Sequence, residues 1–259
     1  MSVWLIRIIL DIQHIRKVGD ALAESTWLEV KGDTQVAVSD THRFGTDAIL
    51  LADFAVPVRG ETVCELGTGC GAIALRLCAE GTPAAVHGVD ISPDAIALAR
   101  QGAAAFDGTP VPTFAVADWA QPASIAPAGS FRRVVCNPPY FSPASGGVSE
   151  DAAARLARHE QPDTLRDVCR AAAWLLQYGG RFCLCHRPER LTAVLTALTA
   201  QGLEPKRLRP VQQTADAPPW LFLLEAKKGG KAGLVWEAPL LLKDTDGNPT
   251  QEYRRIYGE

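Results

Sequence analysis

Three glycines stand at alternate positions directly after a short apolar run, at Gly67, Gly69 and Gly71. Glycine has no Cβ, so this spacing lets the backbone turn sharply after a strand and lets a ligand approach it closely. The apolar run at residues 62–66 has the length of a buried strand. We therefore expect a strand, a glycine turn and a helix, which together open a Rossmann-like α/β fold.

Short apolar runs alternate with helical patterns from residue 61 to residue 226. The alternation predicts strands at residues 62–66, 84–89, 112–116, 131–136, 181–185 and 220–226. It predicts helices at residues 71–79, 93–105, 163–177 and 189–200, the second of them capped by Ser92. Strands and helices in this order form βαβ units, so we expect a mostly parallel sheet covered on both faces.

Composition describes an ordinary globular chain of 259 residues, 47% hydrophobic and 21% charged. A net charge of −3 argues against a strongly basic nucleic-acid coat but allows a local basic groove. The apolar residues 1–10 are too few to span a bilayer, and Arg7 interrupts them, so we expect neither a membrane segment nor a secretory signal. Residues 1–45 are expected to be an N-terminal extension that packs on the core, residues 46–226 the main domain and residues 227–259 a tail or hairpin.

The seven cysteines favour a reducing compartment and therefore a cytoplasmic location. Their number is odd and no two have the C-x-x-C spacing, so neither a disulfide framework nor a zinc site is expected. Cys183, Cys185 and His186 lie close together in sequence, but alternation along one strand explains them better than a metal site does.

Acidic residues close two of the predicted strands. Asp90, followed by Ile91, comes about 20 positions after the glycine turn, where an acid can accept hydrogen bonds from ribose hydroxyls. Asp118 and Trp119 follow the next strand, where a carboxylate can accept from an adenine amino group and an indole can lie against the base. This arrangement is typical of a nucleoside-binding edge.

Two details favour S-adenosylmethionine over NAD as the nucleoside cofactor. The loop reads G-x-G-x-G rather than G-x-G-x-x-G, so it lacks the third glycine of the dinucleotide fingerprint. Glu65 stands just before the loop, where a carboxylate repels a pyrophosphate and attracts a cation. S-adenosylmethionine carries a sulfonium, an ammonium and a ribose but no phosphate. The candidate cofactor-binding residues are therefore Glu65, Gly67, Thr68, Gly69, Gly71, Asp90, Ile91, Asp118 and Trp119.

The fourth predicted strand runs into Asn137-Pro138-Pro139-Tyr140. The two prolines end the strand, so Asn137 is held at its carboxyl end, where ligands bind in open α/β sheets. The Asn137 carboxamide oxygen and the Pro138 carbonyl form a pair of acceptors for a planar amino group, and Tyr140 offers a stacking face. This pattern predicts a site that holds an exocyclic NH2 while its nitrogen reacts, although Asn-Pro is also a common turn.

These ordered motifs resemble class I S-adenosylmethionine-dependent methyltransferases. The Asn-Pro-Pro-Tyr box resembles the branch that methylates amino groups of planar systems, which includes DNA and RNA adenine-N6, rRNA guanine-N2 and release-factor glutamine methyltransferases. Residues 42–52 and 157–160 are similar to two signatures of the bacterial family that methylates adenine N6 beside the anticodon of a valine tRNA. The resemblance covers residues 28–226, and a further short stretch at 248–257 is also similar.

The resemblance implies a Rossmann-like, doubly wound, mostly parallel sheet of seven strands with an antiparallel strand near the C-terminus. It implies that Thr46 and Asp47 open a helix and hold the methionine end of the cofactor, and that Asn137 also touches the cofactor. Asn137 and Pro138 are implied to take the target amino group and Tyr140 the target ring, with tRNA as the partner. For Arg158, His159 and Glu160 a helix-starting salt-bridge cluster and a contact to RNA or cofactor are both open.

Basic residues are numerous enough for a phosphate track if they share a face, although such runs are also typical of a solvated surface. They form three sets: arginines at 132, 133, 155, 158, 166, 170, 181, 187 and 190; Lys206, Arg207 and Arg209; and Lys227, Lys228 and Lys231.

Other functions remain open at this point. Guanine-N2 methylation of rRNA uses a similar box. Glutamine methylation of release factors generally uses a helical substrate domain that the region before Thr46 is too short to match, and DNA adenine methylation generally needs a target-recognition domain. A cofactor-binding module without turnover is the non-enzymatic alternative. The sequence leaves the oligomeric state open.

Overall fold

A computed structural model of the chain describes residues 25–139 and 164–258, and strands and helices alternate along most of it. The strands are β1 (Thr26–Lys31), β2 (Thr34–Val38), β3 (Thr62–Leu66), β4 (Ala85–Asp90), β5 (Thr113–Val116), β6 (Phe131–Cys136), β7 (Leu176–His186), β8 (Leu203–Gln212), β9 (Leu221–Lys228), β10 (Val235–Trp236) and β11 (Leu240–Leu241). The α-helices are α1 (Thr46–Phe54), α2 (Ala72–Ala79), α3 (Pro93–Ala105), α4 (Pro122–Ile125), α5 (Thr164–Leu175), α6 (Leu191–Ala200) and α7 (Gln251–Tyr257).

The main sheet has the order β10-β8-β9-β7-β6-β3-β4-β5, and β11 also pairs with β8. Strands β3 to β7 pair in parallel with one another, whereas β9 is antiparallel to both β7 and β8. The expected doubly wound, mostly parallel sheet with an antiparallel strand near the C-terminus is confirmed. Within the described residues this sheet has nine strands rather than seven, because β10 and β11, each of two residues, extend it along β8.

Two hydrophobic cores cover the two faces of the sheet. Alternation along β7 shows the division, since Cys183 and Cys185 enter one core and Phe182 and Leu184 the other. The first core also contains buried side chains of α1, α2 and α3, and the second those of α5 and α6. All seven cysteines are buried and free of disulfides, as small apolar thiols are in a packed interior.

Buried Arg76 connects the flanking segments to the central domain. It lies on α2 and donates to the backbone carbonyls of Val30 on β1 (2.5 Å) and Ile256 on α7. Burial lowers the pKa of this guanidinium, against the opposing effect of Asp53 on α1. Arg255 on α7 in turn binds Asp53 through two hydrogen bonds of 3.0 and 2.9 Å. The antiparallel pair β1–β2 and the C-terminal helix α7 are thus fixed to α1 and α2. The division into residues 1–45, 46–226 and 227–259 remains a prediction.

Candidate active site

The carboxyl ends of β3, β4, β5 and β6 meet at one edge of the sheet, and the residues predicted from the sequence follow these ends. Parallel pairing brings Leu66 beside Val89 and beside Cys136, so the loops that follow β3, β4 and β6 start side by side. Ala117, which leads to Asp118, donates its N–H to the carbonyl of Asp90 at 2.9 Å. The glycine loop and its acidic neighbours therefore form one continuous edge.

The glycine loop needs glycine at all three positions for its backbone, because Gly67, Gly69 and Gly71 have φ angles of 69°, 54° and 84°. A Cβ on Gly67 would lie 2.9 Å from the Trp119 ring, so the indole packs directly on the loop. A Cβ on Gly69 would meet no described atom within 4 Å. The loop thus closes against Trp119 on one side and faces open space at Gly69.

Glu65 lies inside the loop rather than on its surface. Its side chain is only 2% exposed, and Oε2 accepts hydrogen bonds from the Thr68 hydroxyl (2.7 Å) and the Ala74 N–H (3.0 Å). Burial raises the pKa of Glu65 to about 8, although both hydrogen bonds favour the ionised form. At neutral pH this carboxyl therefore holds its proton and ties the loop to helix α2. The attraction of a cation by Glu65 stays a prediction.

Asp90 organises the turn after β4. Its Oδ2 accepts from the Gly69 N–H at 2.8 Å and its Oδ1 from the Ser92 N–H at 2.9 Å. Each carboxylate oxygen has a second lone pair, so both can accept further hydrogen bonds. The next side chain, Ile91, is 58% exposed, an unusual position for an aliphatic group at the end of a buried strand. Asp118 has a similar local role, since its Oδ1 accepts from the Ala120 N–H at 2.8 Å.

Asn137 meets a residue ninety positions earlier in the chain. Its Nδ2 donates to Asp47 Oδ2 at 3.0 Å, and its Oδ1 lies 3.2 Å from the Cys185 thiol. The carboxylate fixes which end of the carboxamide is nitrogen, because a carboxylate cannot donate. The amide oxygen therefore points away from Asp47, toward the end of β7. The contact between the Cys185 thiol and the Asn137 oxygen was not predicted, because a strand residue that alternates into the core has no distinguishing pattern.

Helix α1 positions Asp47 in its first turn, where a carboxylate is favoured by the helix dipole. A Cβ on Gly45 would lie 2.6 Å from Asp47 Oδ1, so this glycine leaves room for the carboxylate. Thr46 shares a hydrogen bond with the Tyr257 side chain of α7, whose pKa burial raises. The C-terminal helix α7 is thus in contact with the start of α1, a contact that sequence spacing did not reveal.

The family described as "Methyltransferase domain" matches residues 57–207, more than half of the chain. The chain belongs to this methyltransferase family. S-adenosyl-L-methionine is the cofactor that the family and fold imply.

Relatives of this methyltransferase include tRNA1(Val) (adenine(37)-N6)-methyltransferases. The protein from Parabacteroides distasonis is 29% identical over 71% of this chain and 76% of its own length. The protein from Porphyromonas gingivalis strain W83 is 29% identical over 83% of this chain and 86% of its own length. A release factor glutamine methyltransferase from Vibrio cholerae is 31% identical, over 68% of this chain and 62% of its own length.

Solved structures share the fold of this methyltransferase. A predicted O-methyltransferase from Agrobacterium tumefaciens has a TM-score of 0.67 at 21% identity and covers 82% of this chain and 95% of its own. A SAM-dependent methyltransferase from Methanosarcina mazei has a TM-score of 0.50 at 16% identity and covers 68% of this chain and 96% of its own. These similarities concern the fold alone.

The edge of this methyltransferase fits S-adenosyl-L-methionine in its chemistry. The space at Gly69, the acceptor oxygens of Asp90 and the exposed Ile91 would offer room, acceptors for ribose hydroxyls and an apolar surface. Residues 65–72, 88–92 and 117–119, which form this edge in the described part of the chain, contain no lysine or arginine that could bind a pyrophosphate.

Several predicted residues lie outside the described part of the methyltransferase: Tyr140, Arg158, His159, Glu160 and residues 1–24. Pro138 is described and buried at the end of β6. Within residues 25–139 and 164–258, no helix is long and apolar enough to cross a membrane. The same residues contain no cluster of three or more histidine, cysteine, aspartate or glutamate side chains that could hold a metal ion.

Proposed function

We propose that this methyltransferase transfers a methyl group to N6 of an adenine beside the anticodon of a tRNA. The observation that carries the proposal is the hydrogen bond from Asn137 Nδ2 to Asp47 Oδ2, which directs the carboxamide oxygen away from α1. An exocyclic amine presents two N–H donors, so it needs acceptors. The Asn137 oxygen and the adjacent Pro138 carbonyl supply them.

The residues at this edge divide between the two reactants. Asp90 accepts from the ribose hydroxyls of the cofactor, Ile91 and Trp119 contact its base, and Asp118 accepts from its amino group. Thr46 and Asp47, in the first turn of α1, face its methionine end. When bound, the cofactor supplies an electrophilic methyl group on a sulfonium sulfur.

The protein's contribution to the chemistry is orientation. The N6 lone pair of adenine is delocalised into the ring and is a poor nucleophile. Two acceptors that hold both N–H groups favour a pyramidal nitrogen and aim its lone pair at the methyl group. The N-methylated ammonium is acidic enough to lose its proton to water, so no strong general base is required. A base within a stacked anticodon loop must first leave the stack, and Tyr140 is proposed to receive its ring.

The relatives support a tRNA over a release factor. The chain aligns with 86% of the Porphyromonas tRNA methyltransferase but with 62% of the Vibrio release factor methyltransferase. A tRNA substrate also places the protein in the cytoplasm, in agreement with seven buried free thiols.

The test is methyl transfer from tritiated S-adenosylmethionine to separate pools of tRNA, rRNA, DNA and release factor, followed by nucleoside or amino-acid analysis. N6-methyladenosine in the tRNA pool supports the proposal. Label in N2-methylguanosine of rRNA or in N5-methylglutamine of release factor contradicts it and identifies the alternative substrate. Cofactor binding without label in any pool indicates a binding module. Asn137→Ala, measured beside the unaltered protein, controls for a contaminating methyltransferase.

A further inference from the structure

A basic groove crosses the amino edge of the sheet, opposite the edge that holds Asn137. It consists of two adjoining cavities of about 430 and 450 Å³ that share Gly179 and Lys227. The two cavities draw one cation from each of five neighbouring strands or the residues just before them. In sheet order these cations are Lys206 (β8), Lys227 (β9), Arg181 (β7), Arg132 (β6) and Arg59 (before β3).

Most of this charge is not neutralised by the protein. Within the described residues, the side chains of Arg59, Arg132, Lys206 and Lys227 form no ion pair, whereas Arg181 binds the buried Glu225. Two carboxylates lie nearby. Glu61 is bound by Arg133 at 3.0 Å, and Glu204 stands opposite Lys227 in the β8–β9 register. The cations are thus concentrated here in a chain whose net charge is −3.

An aromatic ring lines the second of the two cavities. Tyr178 is 79% exposed, yet its hydroxyl donates to the carbonyl of Gly229 at 3.2 Å. A Cβ on Gly229 would lie 2.2 Å from the Tyr178 ring, so the ring lies directly against the glycine backbone. The outer face of this anchored ring is available for stacking, since an exposed ring that is held in place loses little entropy when a base stacks on it.

We infer that this groove binds the backbone of single-stranded RNA, with a base stacked on Tyr178. Five adjacent strands span about 19 Å, at about 4.8 Å between neighbours, so the row of cations is several phosphates long and exceeds a single phosphate group. Positive charge along a groove together with an aromatic platform is the combination that binds single strands without sequence preference. Arg132 and Asn137 are separated by the length of β6, about 16 Å, so the groove is distinct from the methyl-transfer site. The inference does not depend on which molecule is methylated.

The first test measures the affinity for a fluorescein-labelled oligouridylate 12-mer, which has no adenine, by anisotropy from 50 to 200 mM KCl. Arg132→Gln/Lys227→Gln removes two groove cations, and Lys243→Gln/Arg254→Gln removes the same charge elsewhere. We expect about tenfold weaker binding for the groove variant. The slope of log affinity against log KCl concentration should also be smaller by about 1.4, because each of the two lost phosphate contacts on a single strand contributes about 0.7. The control should change by less than about twofold. Equal weakening in both variants overturns the inference. Displacement of the oligouridylate by an equal concentration of inorganic pyrophosphate also overturns it, because it would indicate a small phosphate ligand.

The second test locates the RNA. An oligouridylate with 4-thiouridine is cross-linked by light and the modified peptides are identified by mass spectrometry. We expect a cross-link in the peptide that contains Tyr178, and about tenfold weaker binding for Tyr178→Ala but not for Tyr178→Phe, which keeps the ring. Cross-links confined to the edge around Asn137 overturn the inference and leave the proposed function intact.

Discussion

The side chains of Asn137 and Asp47, which are ninety positions apart in the chain, are joined by a hydrogen bond of 3.0 Å. Asn137 directly follows strand β6, and Asp47 lies in the first turn of α1. A carboxylate acceptor strengthens the bond and permits only one orientation of the carboxamide. Asp47 therefore fixes the orientation of the carboxamide oxygen that we propose accepts from the target amine.

Removal of this carboxylate should slow turnover. We expect Asp47→Ala to lower kcat about 100-fold, because a carboxamide free to rotate no longer holds the amine in line. Asp47→Asn, which keeps an acceptor oxygen, should restore part of the rate. Asp94→Ala, at the equivalent first turn of α3, is the matched control and should keep full activity. A rise in KM for S-adenosylmethionine with unchanged kcat would instead assign Asp47 to cofactor binding alone.

Variants of Asn137 and Asp90 should affect different quantities, the rate of methyl transfer in the first case and the affinity for the cofactor in the second. We expect Asn137→Ala to lower methyl transfer at least 1,000-fold and to change the affinity for S-adenosylhomocysteine less than about twofold, since its proposed role is in the transition state. Asp90→Ala should weaken that affinity about 100-fold, because it removes the proposed ribose acceptors and the bond that holds Gly69. Isothermal titration calorimetry and single-turnover kinetics measure the two quantities. Equal losses of affinity in both variants would contradict the division.

The regular part of the fold was predictable because local signals agree. Helix α3 begins and ends as predicted, since Ser92 accepts from the Ala95 N–H at 3.3 Å and Pro93 occupies the first turn. Strands β3 and β6 also match their predicted bounds. The predicted helix at 163–177 ends instead at Leu175. Gly179 and Gly180 lie within β7.

Strand β8 was not predicted because its sequence is unlike a buried strand. It contains Pro205 and several charged residues. The register with β9 shifts between Pro205 and Arg207, so the proline lies at an irregularity of the ladder, where its missing N–H is tolerated. The Arg207 charge is tolerated in this strand because Arg207 forms ion pairs with Glu237 and Glu225. Strand β8 forms because it pairs with β9, and its local sequence does not indicate that pairing.

Of the candidate site, the sequence predicted which residues close the strands but not which of them touch. Order along the chain places Asp90, Asp118 and Asn137 at one edge, because parallel strands end together. It does not reveal that Glu65 faces inward or that Asp47 contacts Asn137. Those contacts depend on how α1 and α2 pack, and long-range packing has no periodicity in sequence.

The glycine loop offers a paired test of space and backbone. Gly67→Ala adds a methyl group 2.9 Å from Trp119 and also strains a backbone with φ of 69°, so we expect a loss of about 2–4 kcal/mol in unfolding free energy. Gly69→Ala meets only the strain of its φ of 54°, about 1 kcal/mol. Because the added methyl group occupies the space assigned to the cofactor, Gly69→Ala should still weaken S-adenosylhomocysteine binding at least tenfold. Urea unfolding and calorimetry measure both effects, and unchanged affinity in Gly69→Ala would place the cofactor elsewhere.

Buried Glu65 should make stability depend on pH. Its pKa is about 8 in the folded protein against 4.5 for the ordinary group, so between these values the folded state binds a proton that the unfolded state lacks. Stability from this group is therefore complete below about pH 4.5 and is lost as pH rises through 8, with a slope of at most about 1.4 kcal/mol per pH unit.

Glu65→Gln keeps the shape of the protonated carboxyl and removes its titration. Urea unfolding from pH 5.5 to 8.5 should show the unaltered protein losing stability relative to the variant as the pH increases. Parallel curves would mean that Glu65 is ionised throughout and accessible to water. Titration with S-adenosylmethionine in buffers of different ionisation enthalpy adds a second measurement, because a sulfonium that stabilises the carboxylate must release its proton on binding. If the unaltered protein releases a proton on binding and Glu65→Gln does not, the buried acid ionises in response to the cationic cofactor.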